Sequence, residues 1–511
     1  MAIKSSAMLL IYPPVTRPCE PPAGLARLSA ALKSNGASVT VLDANLEGLL
    51  HVLQSPVQPA DTWTKRAANS NMRHLDGLRS GRAFKDPATY SRVVRDLNRL
   101  LEVYSAQFNV RISFGDYSAD DLQPVRTADL LRAAQQPEGN PFFSYYRARL
   151  PQLLEEQSPD WIGISVTYLS QALCAFALIG YLKQLAPHVR IVLGGGLITS
   201  WLRRPGVCLA FPGLVDEMIE GPGEEQVCRL AGVGHASKAK ETIPDYKSLD
   251  LDRYVAPGRI IPYSASQGCY WQQCSFCPER AEGNEYHPLL VATAVQQAQE
   301  LCREYRPALL HLLDNAISPA LLAQFARTPP GAPWYGFARV TAELQNEDFC
   351  RALRKSGCAM LQLGIESGSD RVLGEMNKGI TSAEASRVLV SLHAAGIATY
   401  VYLLFGTPWE TSKEAQQTMD FTVAHASDID FLNVAVFNMP VGQQNEAEHV
   451  VRKFSDADLS LYTDFVHPAG WDRKSVRAFL DQHFKRHKAI APIIKHKPPL
   501  FGSNHAPFLV I

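Results

Sequence analysis

The sequence predicts an α/β protein: an N-terminal doubly wound domain, a partial (β/α)6 barrel, and a small, mostly helical C-terminal region. Three observations carry this. Short apolar runs alternate with segments of helical periodicity through the first 230 residues, and a second such series starts at Arg259. Strands that alternate with helices imply parallel sheets. The stretch 236–258, with Lys238, Lys240 and Pro244, breaks the pattern and reads as a linker. Finally, 511 residues at about 150 per domain leave room for three units, and a 46% hydrophobic, 20% charged composition supplies more than one core.

In the first domain, residues 1–235, strands are expected at 8–12, 38–43, 161–166, 190–193 and 214–219, with an amphipathic helix at 24–33. Residues from about 50 to 150 are polar, arginine-rich and helical in pattern, as at 91–103, and read as an insertion between the second and third strands. Doubly wound sheets bind ligands at the carboxyl ends of their strands. Here those ends carry Pro13-Pro14, Asp43, Ser165 and Thr167, the run Gly194, Gly195, Gly196, and Gly221 with Gly223.

In the barrel, residues 259–437, strands are expected at 259–266, 308–313, 334–339, 359–364, 398–405 and 431–437. Helices are expected at 291–305, 320–326, 346–355, 382–395 and 412–426. Barrels of this kind gather their chemistry at the carboxyl ends of the strands. Those ends carry Gly268-Cys269, Asp314-Asn315, Arg339, Glu366-Ser367, Gly406-Thr407 and Asn438, a polar set with a cysteine in it. Residues 438–511 then form a capping region rich in His, Lys and Pro, with a helix at 475–488.

Composition excludes several classes. Lys plus Arg and Asp plus Glu both number 50, so no bulk positive field points to nucleic acid. The strongest apolar run, 172–182, is 11 residues long and too short for the about 18–20 needed to span a bilayer; it reads as a buried helix. The N-terminus lacks a secretory pattern, and a cytoplasmic protein is expected. Ten cysteines in 511 residues are too sparse for a disulfide scaffold.

Three of those cysteines are clustered. Cys269, Cys274 and Cys277 stand at C-x4-C-x2-C directly after the first barrel strand. Three thiolates hold three irons of a [4Fe–4S] cluster and leave the fourth for a substrate or cofactor. A zinc site with His287 as fourth ligand is the competing reading, but the paired half-sites of common zinc modules are missing.

With that loop, the chain resembles the radical S-adenosylmethionine (SAM) enzymes. Segments 364–380 (GIESGSDRVLGEMNKGI) and 404–411 (LFGTPWET), and Asp314-Asn315, agree. The first 230 residues resemble the cobalamin-binding domain that precedes the radical domain in one subfamily, through YPPVTRPCEPPAGLARLSAALKSNGASVTVLDANLE, DWIGISVTY, IVLGGGLITS and VDEMIEGPGEE. Two departures stand out: the loop has one residue more than the common C-x3-C-x2-C, and the Asp-x-His-x-x-Gly element of another cobalamin class is missing. Cobalamin is therefore expected without a protein histidine on cobalt.

The resemblance implies three cofactors: a [4Fe–4S] cluster on Cys269, Cys274 and Cys277, SAM, and cobalamin. It implies SAM contacts from Asp314, Arg339, Glu366, Lys378, Gly406, Thr407 and Phe276, with Phe276, Tyr270 and Trp271 packed around the cluster. Arg339 would clamp the methionine carboxylate in a forked geometry. Ser165, Thr167, Gly194, Gly195, Gly196 and Gly221 would line cobalamin. The reaction implied is methyl transfer to an unactivated carbon of a small molecule, using methylcobalamin and a 5′-deoxyadenosyl radical, with electrons from an external flavodoxin- or ferredoxin-like donor and without nucleic-acid or membrane partners.

Three alternatives accompany it. A rearrangement or ring-forming or ring-contracting reaction shares every motif. A transfer-RNA sulfur-inserting enzyme predicts a second cysteine triad, whereas Cys19, Cys174, Cys208 and Cys228 are scattered. A cobalamin-binding sensor has no use for the triad. The apolar C-terminal tail is expected to dock on the body, since burying a Phe or Leu is worth about 1.5–3 kcal/mol. Docking at the barrel mouth would bring Asn504 and His505 to the substrate; packing outside is the alternative.

Overall fold

The computed structural model describes the chain except residues 1–5, 59–60, 207–208, 234–241, 443–449, 453–456, 496–499, 501–504 and 511. It divides into two units, 1–259 with 456–460, and 260–455 with 461–511. No helix among the described residues is long and apolar enough to cross a membrane.

The first unit is built on five parallel strands: β1 (Met8–Tyr12), β2 (Val39–Asp43), β3 (Trp161–Ser165), β4 (Arg190–Gly194) and β5 (Glu217–Met218). Their order is 2-1-3-4-5, the doubly wound order whose switch point, where chain direction across the sheet reverses, lies between β1 and β3. The fifth strand is shorter than its sequence suggests. The Asp216 carboxylate takes the Ile191 N–H at 2.7 Å and the Lys183 ammonium at 3.0 Å, so a side chain does part of the work of a ladder there.

Helix α1 (Ala23–Ser34) and α2 (Ala44–Gln54) flank β2 in sequence. Asp43 ends β2 and caps α2 through Leu46 N–H at 2.9 Å. The insertion supplies α3 (Thr62–Arg79), α4 (Pro87–Ser105), a short antiparallel pair, α5 (Thr127–Gln135) and α6 (Phe143–Gln157). It is more than a solvated cap. Leu75, Tyr90, Val94, Leu97 and Leu101 bury a core of their own. Helix α5 also covers α7 (Leu169–Leu185) so closely that a Cβ at Gly180 would meet the Ala134 carbonyl. Helix α7 is therefore apolar on every side, with Ala172 to Leu182 buried throughout, as its sequence suggests.

The stretch read as a linker is in part packed. Residues 234–241 lie outside the described residues, but Asp245 N–H bonds to Ala26 O at 3.0 Å and Val255 N–H to Pro18 O at 2.7 Å. Tyr254 donates to Asp43 at 2.6 Å. Aromatic anchors in a polar segment outweigh its loop-like composition.

The second unit has six parallel strands in sequential order: β6 (Ile260–Tyr263), β7 (Leu309–Leu312), β8 (Trp334–Ala338), β9 (Cys358–Glu366), β10 (Ala398–Phe405) and β11 (Phe431–Val436). Between them run α8 (Val291–Tyr305), α9 (Pro319–Arg327), α10 (Glu347–Lys355), α11 (Asp370–Glu375), α12 (Ser382–Ala394) and α13 (Ser412–Ala424). Capping signals explain several starts: Ser318 with Pro319, Asn346, and the Thr381/Glu384 and Thr411/Glu414 reciprocal pairs. This is an open (β/α)6 barrel. The C-terminal region is only partly helical. It opens with an antiparallel sheet of Met439–Pro440, Tyr462–Phe465 and Val451–Arg452, followed by α14 (Arg473–Phe479).

The tail docks, but away from the mouth. Asn504 lies outside the described residues. His505 is fully buried, its ring 4.4 Å from that of Phe431 and 4.6 Å from that of Tyr400. Phe431 is the first residue of β11, so His505 plugs the amino end of the barrel strands, about 17 Å of strand from the carboxyl end. The expectation that His505 faces substrate is therefore corrected: the shape of the tail is set by the aromatic floor it fills.

Candidate functional site

The cysteine loop leaves β6 through Ser266 and Gln267. Asp314, at the end of β7, is buried and holds the start of this loop, accepting from the Ala265 N–H at 3.1 Å and from the Ser266 hydroxyl. Burial raises its pKa, and these bonds partly offset the rise. Both carboxylate oxygens have donors, so Asp314 supports the start of the loop.

The loop is fastened to the segment after α11. Ser275 N–H bonds to Met376 O at 2.9 Å and its hydroxyl to Glu375 O at 3.0 Å, while Trp271 Nε1–H bonds to Asn377 O at 2.9 Å. Gly379 lies under the Trp271 ring: it has φ +69°, and a Cβ there would sit 2.1 Å from the indole. Only glycine fits both the backbone and the contact. Trp271, within the C-x4-C spacer, thus lies against residues 377–379.

Arg339 follows β8 and is 8% exposed. Its guanidinium stacks on Trp271 at 4.4 Å, donates to the Lys378 carbonyl through Nη2, and puts Nη1 3.7 Å from Cys274 Sγ. Both outer nitrogens are thus engaged, and the expected forked clamp on a methionine carboxylate is not prepared. Lys378 instead pairs with Glu366 at 2.8 Å, both nearly buried, with its ammonium 5.5 Å over the half-buried Phe276 ring. Glu366 reaches that pair from a bulge. Register slips between Gly364 and Glu366, and Glu366 has φ +70°, unusual for a side-chain-bearing residue.

At the end of β10, Gly406 N–H donates to Glu410 Oε2 at 2.5 Å, and Trp471 Nε1–H donates to the same oxygen at 3.0 Å. Glu410 is fully buried, its pKa pushed up to about 7 by burial. Its Oε1 and the Thr407 hydroxyl are buried without partners. His467 donates from Nε2 to Thr407 O at 2.9 Å, because its Nδ1 accepts from Ala469 and Trp471 N–H. The sequence reading missed Glu410, His467 and Trp471. Glu410 lies within the LFGTPWET segment, and an acidic residue between tryptophan and threonine was the available signal.

The donor set, three free thiols in one loop, is the kind that holds an iron–sulfur cluster. Among the described residues no three His, Cys, Asp or Glu side chains converge on one metal position. His287 turns to Glu285, 3.4 Å away. A cluster asks each thiol for a different iron. The Tyr270 hydroxyl, buried and without a partner, lies in the same loop.

In the first unit the loops at the carboxyl edge of the sheet are tied by an uncharged side chain. Gln171 joins the two loops at the switch point: its amide donates to Pro13 O at 2.7 Å, and its oxygen accepts from Thr167 and Tyr168 N–H at 2.8 and 3.1 Å. The sequence reading missed it; a glutamine in the first turn of a helix after a strand was the only cue. Ser165 ends β3 in register with Gly194. Gly195 is required by the protein itself: it has φ +104°, and a Cβ would lie 2.4 Å from Val166 O. Gly194 and Gly196 leave ordinary clearance of 3.6 and 3.7 Å. Gly221 N–H is taken by Thr199 at 2.9 Å. Of the glycine run expected to meet cobalamin, Gly195 is thus accounted for by Val166, whereas Gly194 and Gly196 would each admit a Cβ at ordinary contact distance.

Residues 263–422 match the Radical SAM superfamily. Over 94% of its length it superposes on the cobalamin-dependent SAM radical enzyme OxsB (67% of that chain, TM-score 0.57, 13% identity). Over 96% it superposes on the radical SAM methyltransferase TsrM from Kitasatospora setae, solved with tryptophan and a SAM analogue (89% of that chain, TM-score 0.55, 16% identity). Its two-unit fold is that of cobalamin-dependent radical SAM enzymes. Among curated proteins, it is 23% identical to an uncharacterised methyltransferase of Pyrococcus horikoshii over 56% of this chain and 68% of that one. It is 28% identical to bacteriochlorophyllide d C-12(1)-methyltransferase of Chlorobaculum tepidum over 35% of this chain and 41% of that one.

Proposed function

We propose that this protein is a cobalamin-dependent radical SAM methyltransferase that acts on an unactivated carbon of a small molecule. The observation that carries this reading is the three-thiol loop at the carboxyl end of β6, anchored against a buried cation. When bound, the cluster, SAM and cobalamin supply the electron, the radical and the methyl group.

The chain's own residues bind, orient and exclude water. Cys269, Cys274 and Cys277 hold the cluster; Phe276, Tyr270 and Trp271 shield it. Glu366 and Lys378 face SAM as a neutralised pair, and either re-pairs with the amino or carboxylate group of SAM without leaving a bare buried charge. The Thr407 hydroxyl and Glu410 Oε1, buried without partners, offer hydrogen bonds to the same ligand. Gly194, Gly196, Ser165 and Thr167 line the corrinoid's tail in the first unit, with Gly221 at the rim. Electrons come from an external flavodoxin- or ferredoxin-like donor.

The test is anaerobic turnover of the cobalamin-loaded protein with methyl-labelled SAM and candidate substrates, read by mass spectrometry. A labelled product heavier by one CH₂ is expected. SAM cleavage with a product of unchanged elemental composition would replace methyl transfer by rearrangement. Absence of SAM cleavage under strong reduction would remove the radical reading.

A further inference from the structure

Among the described residues Arg339 is the one buried cation at this site without a counter-charge. It is 8% exposed, and among the described residues no carboxylate lies within ion-pair reach of it. Its other neighbours are a carbonyl, an indole face and a thiol. The neighbouring buried cation, Lys378, has Glu366 at 2.8 Å. A buried charge without a counter-charge is costly, so the arrangement implies an anion still to come. The side chain is fixed in place: indole on one face, the Lys378 carbonyl on one nitrogen, Cys274 Sγ on the other. What it points at is a sulfur.

We infer that Arg339 is a redox-positioning residue, a fixed cation and N–H donor to the Cys274 sulfur that raises the reduction potential of the cluster. The inference rests on the cluster reading above. Hydrogen bonds to the sulfurs and local net charge are among the levers that set such potentials. One-electron reduction by the external donor adds one negative charge to the cluster, and a guanidinium held 3.7 Å from a ligand sulfur favours that more negative state. Arg suits the role because it stays protonated when buried and presents several donors in a plane that also stacks on tryptophan. Trp271 and the carbonyl of Lys378 then act through Arg339, as the frame that keeps it from turning to solvent.

The experiment is a redox titration of the reconstituted holoprotein without SAM, followed by electron paramagnetic resonance, on wild type, Arg339→Lys, Arg339→Gln and Trp271→Leu, with iron and sulfide counted for each. SAM affinity is measured in parallel. Arg339→Gln is expected to keep its iron and to shift the one-electron reduction equilibrium at least tenfold toward the oxidised form, about 59 mV lower. Arg339→Lys, which keeps the charge, is expected to lie between it and wild type. Trp271→Leu, which frees the guanidinium, is expected to fall in the same direction by less. If Arg339→Gln does not hold a cluster, Arg339→Lys and Trp271→Leu carry the comparison, and an unchanged potential in Trp271→Leu overturns the inference. An unchanged potential in Arg339→Gln with lost SAM affinity overturns it in favour of a methionine-carboxylate clamp. Equal shifts in the Lys and Gln variants also overturn it, since charge would then be irrelevant. A wild-type protein that takes up no iron removes the cluster reading itself, an outcome distinct from these.

Discussion

The carboxyl edges of the two parallel sheets are built differently. In the second unit the edge is crowded with buried ionisable groups: Asp314, Arg339, the Glu366–Lys378 pair and Glu410. Each is held by named neighbours, because a buried charge left loose costs several kcal/mol. In the first unit the switch-point loops are tied by backbone amides and one glutamine, and the buried Asp43 is satisfied by Tyr254 and the start of α2. The difference teaches where residue type matters. At the charged edge a change of chemistry disturbs the site, whereas at the neutral edge a change of volume does.

The largest effect should fall on the charged edge. Replacing Cys269, Cys274 and Cys277 together by Ala should abolish iron and sulfide binding, measured after anaerobic reconstitution. Alanine at Cys302, Cys350 or Cys358, all buried in the packing of the second unit, should leave the cluster content unchanged. Iron retained by the triple variant would remove the contrast between the edges.

The neutral edge is tested by volume. Gly195→Ala should cost about 2–4 kcal/mol, through overpacking against Val166 and an unfavourable backbone. Gly196→Ala, with 3.7 Å of clearance, should stay within about 0.5 kcal/mol. Urea unfolding separates the two. If they behave alike, the glycine run is not shaped by the Val166 carbonyl. A bulky residue at Gly196 is then the cleaner probe of corrinoid binding, because it fills ligand space without first breaking the loop.

These tests mark what was legible in the sequence. Alternating runs located all eleven main strands, since a buried parallel strand is a short apolar run with little else to mimic it. The cysteine triad was legible because thiol spacing carries its own chemistry. Side-chain direction was not. Arg339 and Asp314 stand at strand ends, as expected, yet turn back to fasten the cysteine loop, which depends on Trp271 and Ser266 arriving from elsewhere in the chain. Glu410 was hidden because a glutamate beside a tryptophan looks exposed until Trp471 covers it, 61 residues later. The tail's apolar composition signalled burial but held no information about which end of the barrel it would reach.

Two of the buried carboxyls, Asp43 and Glu410, sharpen the comparison by pH. Burial raises Asp43 from 3.8 to about 6 and Glu410 from 4.5 to about 7. When the folded pKa exceeds the unfolded one, the stabilising contribution is complete below the unfolded value and is lost as pH climbs through the folded value. At 1.36 kcal/mol per unit, each loss is about 3 kcal/mol at most. Wild-type stability should therefore fall between about pH 4 and 7. Asp43→Asn, which keeps the cap on Leu46, should flatten the lower part of that fall, and Glu410→Gln the upper part. Curves that superpose on wild type would mean that neither acid is protonated in the fold.

The smallest effect should come from the far end of the barrel. His505 is fully buried between Tyr400 and Phe431, at the amino ends of the strands, so removing its ring opens a cavity away from the cysteine loop. His505→Ala should cost about 1–2 kcal/mol in urea unfolding. Iron content, corrinoid content and SAM cleavage per folded molecule should match wild type, and product should remain coupled to that cleavage. Uncoupled SAM cleavage in this variant, at unchanged iron content, would show that the plug governs the mouth after all. The two ends of the barrel would then have to be treated as one site, because a rigid set of strands about 17 Å long would be transmitting a change in packing at its floor to the chemistry at its rim.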